Sequence, residues 1–448
     1  MPIASRFAAA GHRLYLVGGI VRDTLLGRNR DALDIDLTTD ALPEQTLDLI
    51  RSAKPSAVWT QGQRFGTIGA AFGDRQFEIT THRGEAYHED SRKPDVAFSS
   101  DVTADLSRRD FTINAMALSV PELVLIDPFG GAVDLAAKRL RTPLAPDRSF
   151  SDDPLRMLRA ARFIAGFDLR PDADLVDAVK RLADRLSIVS VERIRMEFDK
   201  LLVVDEPAKG LWFVVETGLA EHFLPELPGM AIAQDPIHRH KDVLAHTIAV
   251  VEKTQPDKIL RLAALLHDIA KPRTKAVGAH GVSFHHHDVV GARMARDRMR
   301  ALKYPNDEVH DVSELVALHL RFHTYASGWT DSAVRRYVRD AGPLLEKLNE
   351  LTRCDCTTRN AKRAATLARR MDDLETRIDE IRGKEVLDAI RPDLDGKAVM
   401  AHLGMGPGRE IGQALEMLLE IRLEEGPMEP EEAYRRLDAW WATHHPNR

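Results

Sequence analysis

Cysteine is almost absent: Cys354 and Cys356 are the two in 448 residues, separated by one residue. This excludes a disulfide framework and a four-cysteine zinc site, and it fits a reducing compartment. Long apolar runs are missing too. None approaches the ~18 to 20 residues that span a bilayer, and the start MPIASRFAAAGHRLYLVGG lacks a signal-type apolar core with a cleavage site. The chain is therefore expected to be cytoplasmic, with no membrane partner and no obligate protein partner evident. There is no basic excess: 63 Lys and Arg face 69 Asp and Glu, a formal net charge of −6. A surface that coats nucleic acid broadly is disfavoured, and a local basic groove is not. Repeats of fixed period and low-complexity tracts are also lacking.

What is present is an ordinary globular balance, 44% hydrophobic and 29% charged residues. At roughly 100 to 200 residues per domain the length predicts two to four domains. The first 140 or so residues mix short β-patterned runs (HRLYLV, LDIDLTT, FGTIGAAF, QFEITT, ELVLID) with a few helical stretches. Beyond Asp147 the texture becomes successive amphipathic helices broken by Pro and Gly. The expected division is an α/β head (1–146), a helical neck (147–230), a histidine-bearing helical body (231–360) and a charged helical tail (361–448).

Leu14 to Val17 read as a strand, Gly18-Gly19 as a tight turn, and Ile20 to Leu26 as a helix ending at Gly27. That arrangement serves equally as a plain turn or as a phosphate loop, in which glycine amides approach an anion and Arg22 pairs with its oxygens. Asp34 and Asp36 follow in a β-patterned run. Because side chains alternate along a strand, both carboxylates share one face while Ile35 and Leu37 enter the core. Two such carboxylates near a phosphate loop suit Mg²⁺, with Glu78 in QFEITT as the third member of a catalytic set. Further on, Arg108-Arg109-Asp110-Phe111-Thr112-Ile113-Asn114 is read as the start of a helix able to clamp a triphosphate and ribose.

The motifs LVGGIVRDTLLG, DIDLTT, RRDFTINAMA, DPFGGAVDL and DDPLRMLRAARF, in this order, resemble the class II tRNA nucleotidyltransferase and bacterial poly(A) polymerase family. The resemblance is dense over about residues 11 to 230. It implies an α/β nucleotidyltransferase head of the polymerase β-like kind, followed by an all-α neck, an HD-type body and a tail. It also implies CMP and AMP addition from CTP and ATP to the tRNA 3′ end with release of pyrophosphate. Poly(A) synthesis, or addition of part of the CCA end, is the alternative on the same scaffold. Gly18, Gly19, Arg22, Arg109, Asp110 and Asn114 are the expected nucleotide-binding residues of the head, and Asp34 and Asp36 the expected Mg²⁺ ligands.

SDDPLRMLRAARF is read as a helix with Asp153 as N-cap and Pro154 at its first position. Arg156, Arg159 and Arg162 recur every three residues along one side of it. In the resembling family this segment is a protein template for the incoming base, matched here by Asp153 and Arg156. A carboxylate accepts from the amino group of cytosine or adenine and a guanidinium donates to the neighbouring ring acceptor, with Arg159 and Arg162 assisting. The family usually has Glu where this sequence has Asp152. Ser190 to Glu197 resemble its last motif, and they read equally as an ordinary capped helix start. His246, His267, Asp268 and Asp355 resemble the metal ligands of HD-domain phosphohydrolases, with His286, His287 and His319 where further ligands occur. The body is thus either a second divalent transition-metal site with phosphohydrolase activity or a helical support for RNA. The run RNAKRAATLARR is a further place for RNA backbone contact, or a solvated helix face.

Overall fold

The computed structural model describes residues 3–28, 34–88, 91–232, 242–278, 281–323, 329–356, 361–385 and 390–445. The chain forms two compact units, Met1–Pro228 and Gly229–Arg448. The expected finer limits near 146 and 360 fall inside these units.

The first unit is built on strands β1 (Leu14–Val17), β2 (Asp34–Thr39), β3 (Ala57–Trp59), β4 (Thr67–Phe72), β5 (Arg75–Thr81), β8 (Ala117–Val120) and β9 (Leu125–Ile126). They form one sheet in the order β3-β4-β5-β2-β1-β8-β9. The sheet is mixed: β2 and β5 run parallel and the other neighbours antiparallel. A separate hairpin pairs β6 (Arg83–His88) with β7 (Ser91–Phe98). Sequence patterning anticipates β1, β2, β4 and β5; it misses β3, β8 and this hairpin. One face of the sheet buries Leu14, Leu16, Ile35, Leu37, Ile68 and Ile79 against Phe7, Val21 and Ile50 of flanking helices. Each such side chain contributes about 1.5 to 3 kcal/mol of burial. The alternation of β2 leaves Asp34 and Asp36 on the open side.

The helical part of this unit centres on Leu155–Phe167, whose Leu158, Ala161 and Ile164 are buried. It packs beside helices Val191–Leu202 and Ala208–Glu216. The second unit is mostly helical, but it is not purely so. A two-stranded hairpin joins Lys275–Gly278 to Gly281–Phe284, where glycine and alternating valine favour a strand turn over a helix. Among the described residues no helix is long and apolar enough to cross a membrane.

Candidate functional site

The carboxylates come first. Parallel pairing of β2 and β5 sets Asp36 directly beside Glu78, and Asp34 is two residues back on the same face. Three acids at this spacing repel one another. Asp36 keeps open surface yet is flanked by protein, and its pKa is raised by burial, with Arg109 pulling down and Asp34 pushing up. The Glu78 carboxyl is raised as well, by burial and by Asp36 and Asp34. A divalent cation relieves this repulsion, and oxygen ligands of this kind suit Mg²⁺.

Gly18 closes the site from the β1 side. Its φ of 74° and ψ of −136° favour glycine. A Cβ there would lie 3.3 Å from Arg109 Nη1 and 3.7 Å from Asp36 Oδ2. Gly18, Asp36 and Arg109 therefore meet at one point. The helix that follows, Gly19–Leu25, has only seven residues. The fixed positive charge facing the carboxylates is thus the Arg109 guanidinium more than a helix dipole.

Arg22 sits a turn further on, buried, donating through Nη1 to Asn114 Oδ1 at 2.7 Å and through Nε to Asp23 at 2.9 Å. Its guanidinium lies 4.2 Å from the Phe167 ring centroid, a cation–π contact. It also lines a cleft of about 690 Å³ with Arg28, Arg162, Phe167 and Lys200. Residues 108–114 do not begin a helix. Helix Val102–Ser107 ends before them, and Thr112–Asn114 form one 3₁₀ turn. Asp110 makes that turn: its Oδ1 accepts from Phe111 N–H at 2.8 Å and from the Asn114 amide at 3.0 Å.

The other Asp110 oxygen accepts from Arg159 at 2.6 and 2.9 Å. Burial works against its charge, but Arg159 and Asn114 outweigh that and hold the carboxyl at about 2. Asp110 and Asn114, expected to touch nucleotide, thus spend these polar atoms on Arg159 and Arg22. Arg159 and Arg162 both face Glu197, which is 3% exposed. The helix Leu155–Phe167 starts one residue later than expected, with Pro154, itself at φ −60° and ψ −21°, in the N-cap position. Asp153 still caps it, accepting from Leu155 N–H at 3.2 Å, and its second oxygen pairs with Arg193 at 3.0 Å. Arg156 is buried, donating to Ser149 Oγ at 2.9 Å and to the Arg108 carbonyl. Ser190 occupies the N-cap position of helix Val191–Leu202 without a side-chain cap bond. Arg193 and Glu197, outside the expected site, lie on that helix within Ser190 to Glu197, whose resemblance to the last family motif is the signal for them, and they reach Asp153 and the two arginines Arg159 and Arg162.

In the second unit the histidines converge. His246 Nε2 is 2.9 Å from Asp355 Oδ1 and 3.3 Å from His267 Nε2, which is 3.2 Å from Asp268 Oδ2. His287 and His319 complete a second trio with Asp268. His286 does not join: it is exposed in a left-handed turn before helix His287–Ala301. His267, His287 and His319 each bond through Nδ1 to the carbonyl three residues earlier, at 2.6 to 2.7 Å. For His287 and His319 the Nδ1 proton is thereby committed, and Nε2 presents its lone pair to the cluster. Nε2 of His287, Nε2 of His319 and Oδ1 of Asp268 are buried without a hydrogen-bond partner. Burial lowers His319 to about 4 and lowers His287. His267 is raised to about 10, since Asp268 and Asp355 outweigh its burial. The neutral imidazoles of His287 and His319, the paired carboxylates and the orphaned acceptors fit the donor set of a divalent transition metal, and His267 would give up its Nε2 proton to join them. A cavity of about 260 Å³ lined by Phe322, His323, Asp355 and Met371 opens beside the cluster.

Family models match three stretches: the Poly A polymerase head domain over residues 14–141, a probable RNA and SrmB-binding site of polymerase A over 167–230, and the HD domain over 243–378. The A-adding tRNA nucleotidyltransferase of Deinococcus radiodurans is 32% identical over 95% of both chains. The chain belongs to the tRNA nucleotidyltransferase and poly(A) polymerase family. The CCA-adding enzyme of Bacillus subtilis is 40% identical over 51% of this chain and 55% of its own length. The match thus spans about half the length of several such curated relatives of the family. Two solved structures share the fold: a Bacillus stearothermophilus CCA-adding enzyme in complex with CTP, and a Thermotoga maritima CCA-adding enzyme complexed with tRNA. The first has a TM-score of 0.71 and 24% identity, covering 100% of this chain and 98% of its own. The second has 0.62 and 21%, covering 98% and 93%.

Proposed function

We propose that this protein adds CMP and AMP, from CTP and ATP, to the 3′ end of tRNA without a nucleic-acid template, releasing pyrophosphate. The observation that carries this reading is the meeting of Asp34, Asp36 and Glu78 with Gly18 and Arg109, in the same compact unit as Asp153 and Arg156. Asp34 and Asp36, with Glu78 beside them, are the residues that would hold Mg²⁺. Bound there, the ion would supply activation of the RNA 3′-hydroxyl and neutralisation of the leaving pyrophosphate. The chain itself contributes position and charge. Gly18 and Gly19 let backbone approach the triphosphate, Arg109 faces it, and Arg22 bounds the cleft beside it.

Asp153, oriented by Leu155 N–H and Arg193, accepts from the exocyclic amino group common to cytosine and adenine, and Arg156 donates beside it. Uracil and guanine put a carbonyl where that amino group belongs, leaving acceptor against acceptor. Addition of the terminal A alone is the second reading, favoured by the relative that matches nearly the whole chain. For the second unit, we propose that His246, His267, Asp268 and Asp355, joined by His287 and His319, hold divalent transition metal, in a body suited to phosphoester hydrolysis.

Transcripts ending before CCA, and transcripts ending in CC, incubated with labelled CTP or ATP test the main reading. Two C and one A on the first substrate support it, and Asp36→Ala is expected to lower the rate by more than about 1,000-fold. AMP on the CC-ended substrate only selects the second reading. Long A tails, or no incorporation at all, sink both.

A further inference from the structure

We propose that Asp105 is a positioning residue for the nucleotide's polyphosphate, acting through Arg109. The inference rests on the transfer reading above, and it concerns a residue outside the expected site. Asp105 lies on helix Val102–Ser107 and is fully buried. Its oxygens are divided between two arginines. Oδ1 accepts from Arg108, at 2.7 Å from Nη2 and 3.1 Å from Nε, and Oδ2 accepts from Arg109 Nη2 at 3.3 Å. Burial works against the Asp105 charge, and the two guanidinium groups overcome it, holding the carboxyl below its ordinary value.

Arg109 has two acidic neighbours, Asp105 and Asp36, and its hydrogen bond goes to Asp105. That choice has a chemical consequence. Were Arg109 to swing onto Asp36, one ion pair would occupy both a carboxylate meant for a cation and a guanidinium meant for phosphate. Bonding of Nη2 to Asp105 fixes the plane of the fork and leaves Nη1 on the Gly18 side, where a Cβ would lie 3.3 Å away. Nε of Arg109 is buried with no hydrogen-bond partner. With Asp105 counted against Arg108 and Arg109, the three side chains keep one positive charge beside three carboxylates. A guanidinium so anchored keeps its Nη1 donor in fixed geometry for an oxyanion.

Steady-state addition by the full chain tests this, with Asp105→Asn, Arg109→Gln and the double variant compared for the KM of CTP, of ATP and of RNA. Asp105→Asn is expected to raise the KM for CTP and ATP by the same factor, on the order of tenfold, because it acts on phosphate and not on the base. The KM for RNA stays within about twofold. The double variant is expected to be no worse than Arg109→Gln alone, as for two residues acting in series. Effects that multiply, a factor that differs between CTP and ATP, or a change in the RNA KM alone would overturn the proposal. Should Asp105→Asn fail to fold, Arg109→Lys decides: it keeps charge and partner but has a single nitrogen, so its nucleotide KM must rise. A wild-type KM there refutes the role. An unmodified protein that adds nothing defeats the transfer reading as well, whereas an active protein indifferent to Asp105→Asn defeats this inference alone.

Discussion

Asp110 shows how a single side chain can be misjudged from sequence. Its neighbours Arg108, Arg109 and Asn114 suggest direct contact with a ligand, yet the structure spends its oxygens on Arg159, Asn114 and a backbone N–H. A carboxyl held at about 2, against an ordinary 3.8, stabilises the fold above the unfolded value and loses that contribution as pH falls between the two. The drop corresponds to on the order of 2 kcal/mol. Urea unfolding of the wild type and Asp110→Asn should therefore show a stability gap that is full at pH 5 and narrows toward pH 2. A gap constant across that range would mean that Asp110 acts by shape and not by charge. At this scale the sequence showed Asp34, Asp36 and their shared face well, because strand alternation is strict. It could not show which arginines Asp110 and Glu197 would take, since Arg159 lies 49 positions from the first and Arg162 lies 35 from the second.

In the proposed reaction, helices Leu155–Phe167 and Val191–Leu202 are the elements that would set base geometry. Asp153 meets Arg193, Arg159 and Arg162 meet Glu197, and a Cβ at Gly166 would lie 3.4 Å from Val204 Cγ1. The contacts advance together along both helices, so the two run side by side in the same direction. Glu197 is the shared acid of this pair. Glu197→Gln removes its charge between two guanidinium groups, and breaking a buried pair of this kind costs on the order of 3 kcal/mol. The denaturant midpoint should fall accordingly, and discrimination of CTP over UTP should weaken as Arg159 and Arg162 loosen. An unchanged midpoint with unchanged discrimination would show that apolar packing alone fixes the helix pair. Helix content here was legible from the 3.6-residue pattern. The 3₁₀ turn at Thr112–Asn114 was not, because it depends on the Asp110 side chain and not on periodicity. The hairpin at residues 275–284 was hidden among histidines and helices of stronger pattern.

At the scale of the whole molecule, two of the charge clusters among the described residues are of opposite construction, each within its own compact unit. One is three carboxylates on an open sheet face; the other is four buried or half-buried imidazoles gathered around two acids. Oxygen donors and nitrogen donors select different ions. Asp268→Asn, which touches both histidine trios, is expected to cut bound transition metal at least tenfold by elemental analysis. Addition of CMP and AMP with Mg²⁺ should stay within about twofold; parallel loss of both would mean that the clusters are energetically linked. The parallel register of β2 and β5 bears on the folding of the chain as a whole. Asp36 and Glu78 become neighbours across 42 positions, and a slip of one residue in β2 would turn Asp34 and Asp36 inward and expose Ile35 and Leu37. Misaligned chains would thus be rejected by the cost of burying charge. The acids assigned to Mg²⁺ in the proposed reaction would thus also serve as a proofreading mark for the assembly of the sheet.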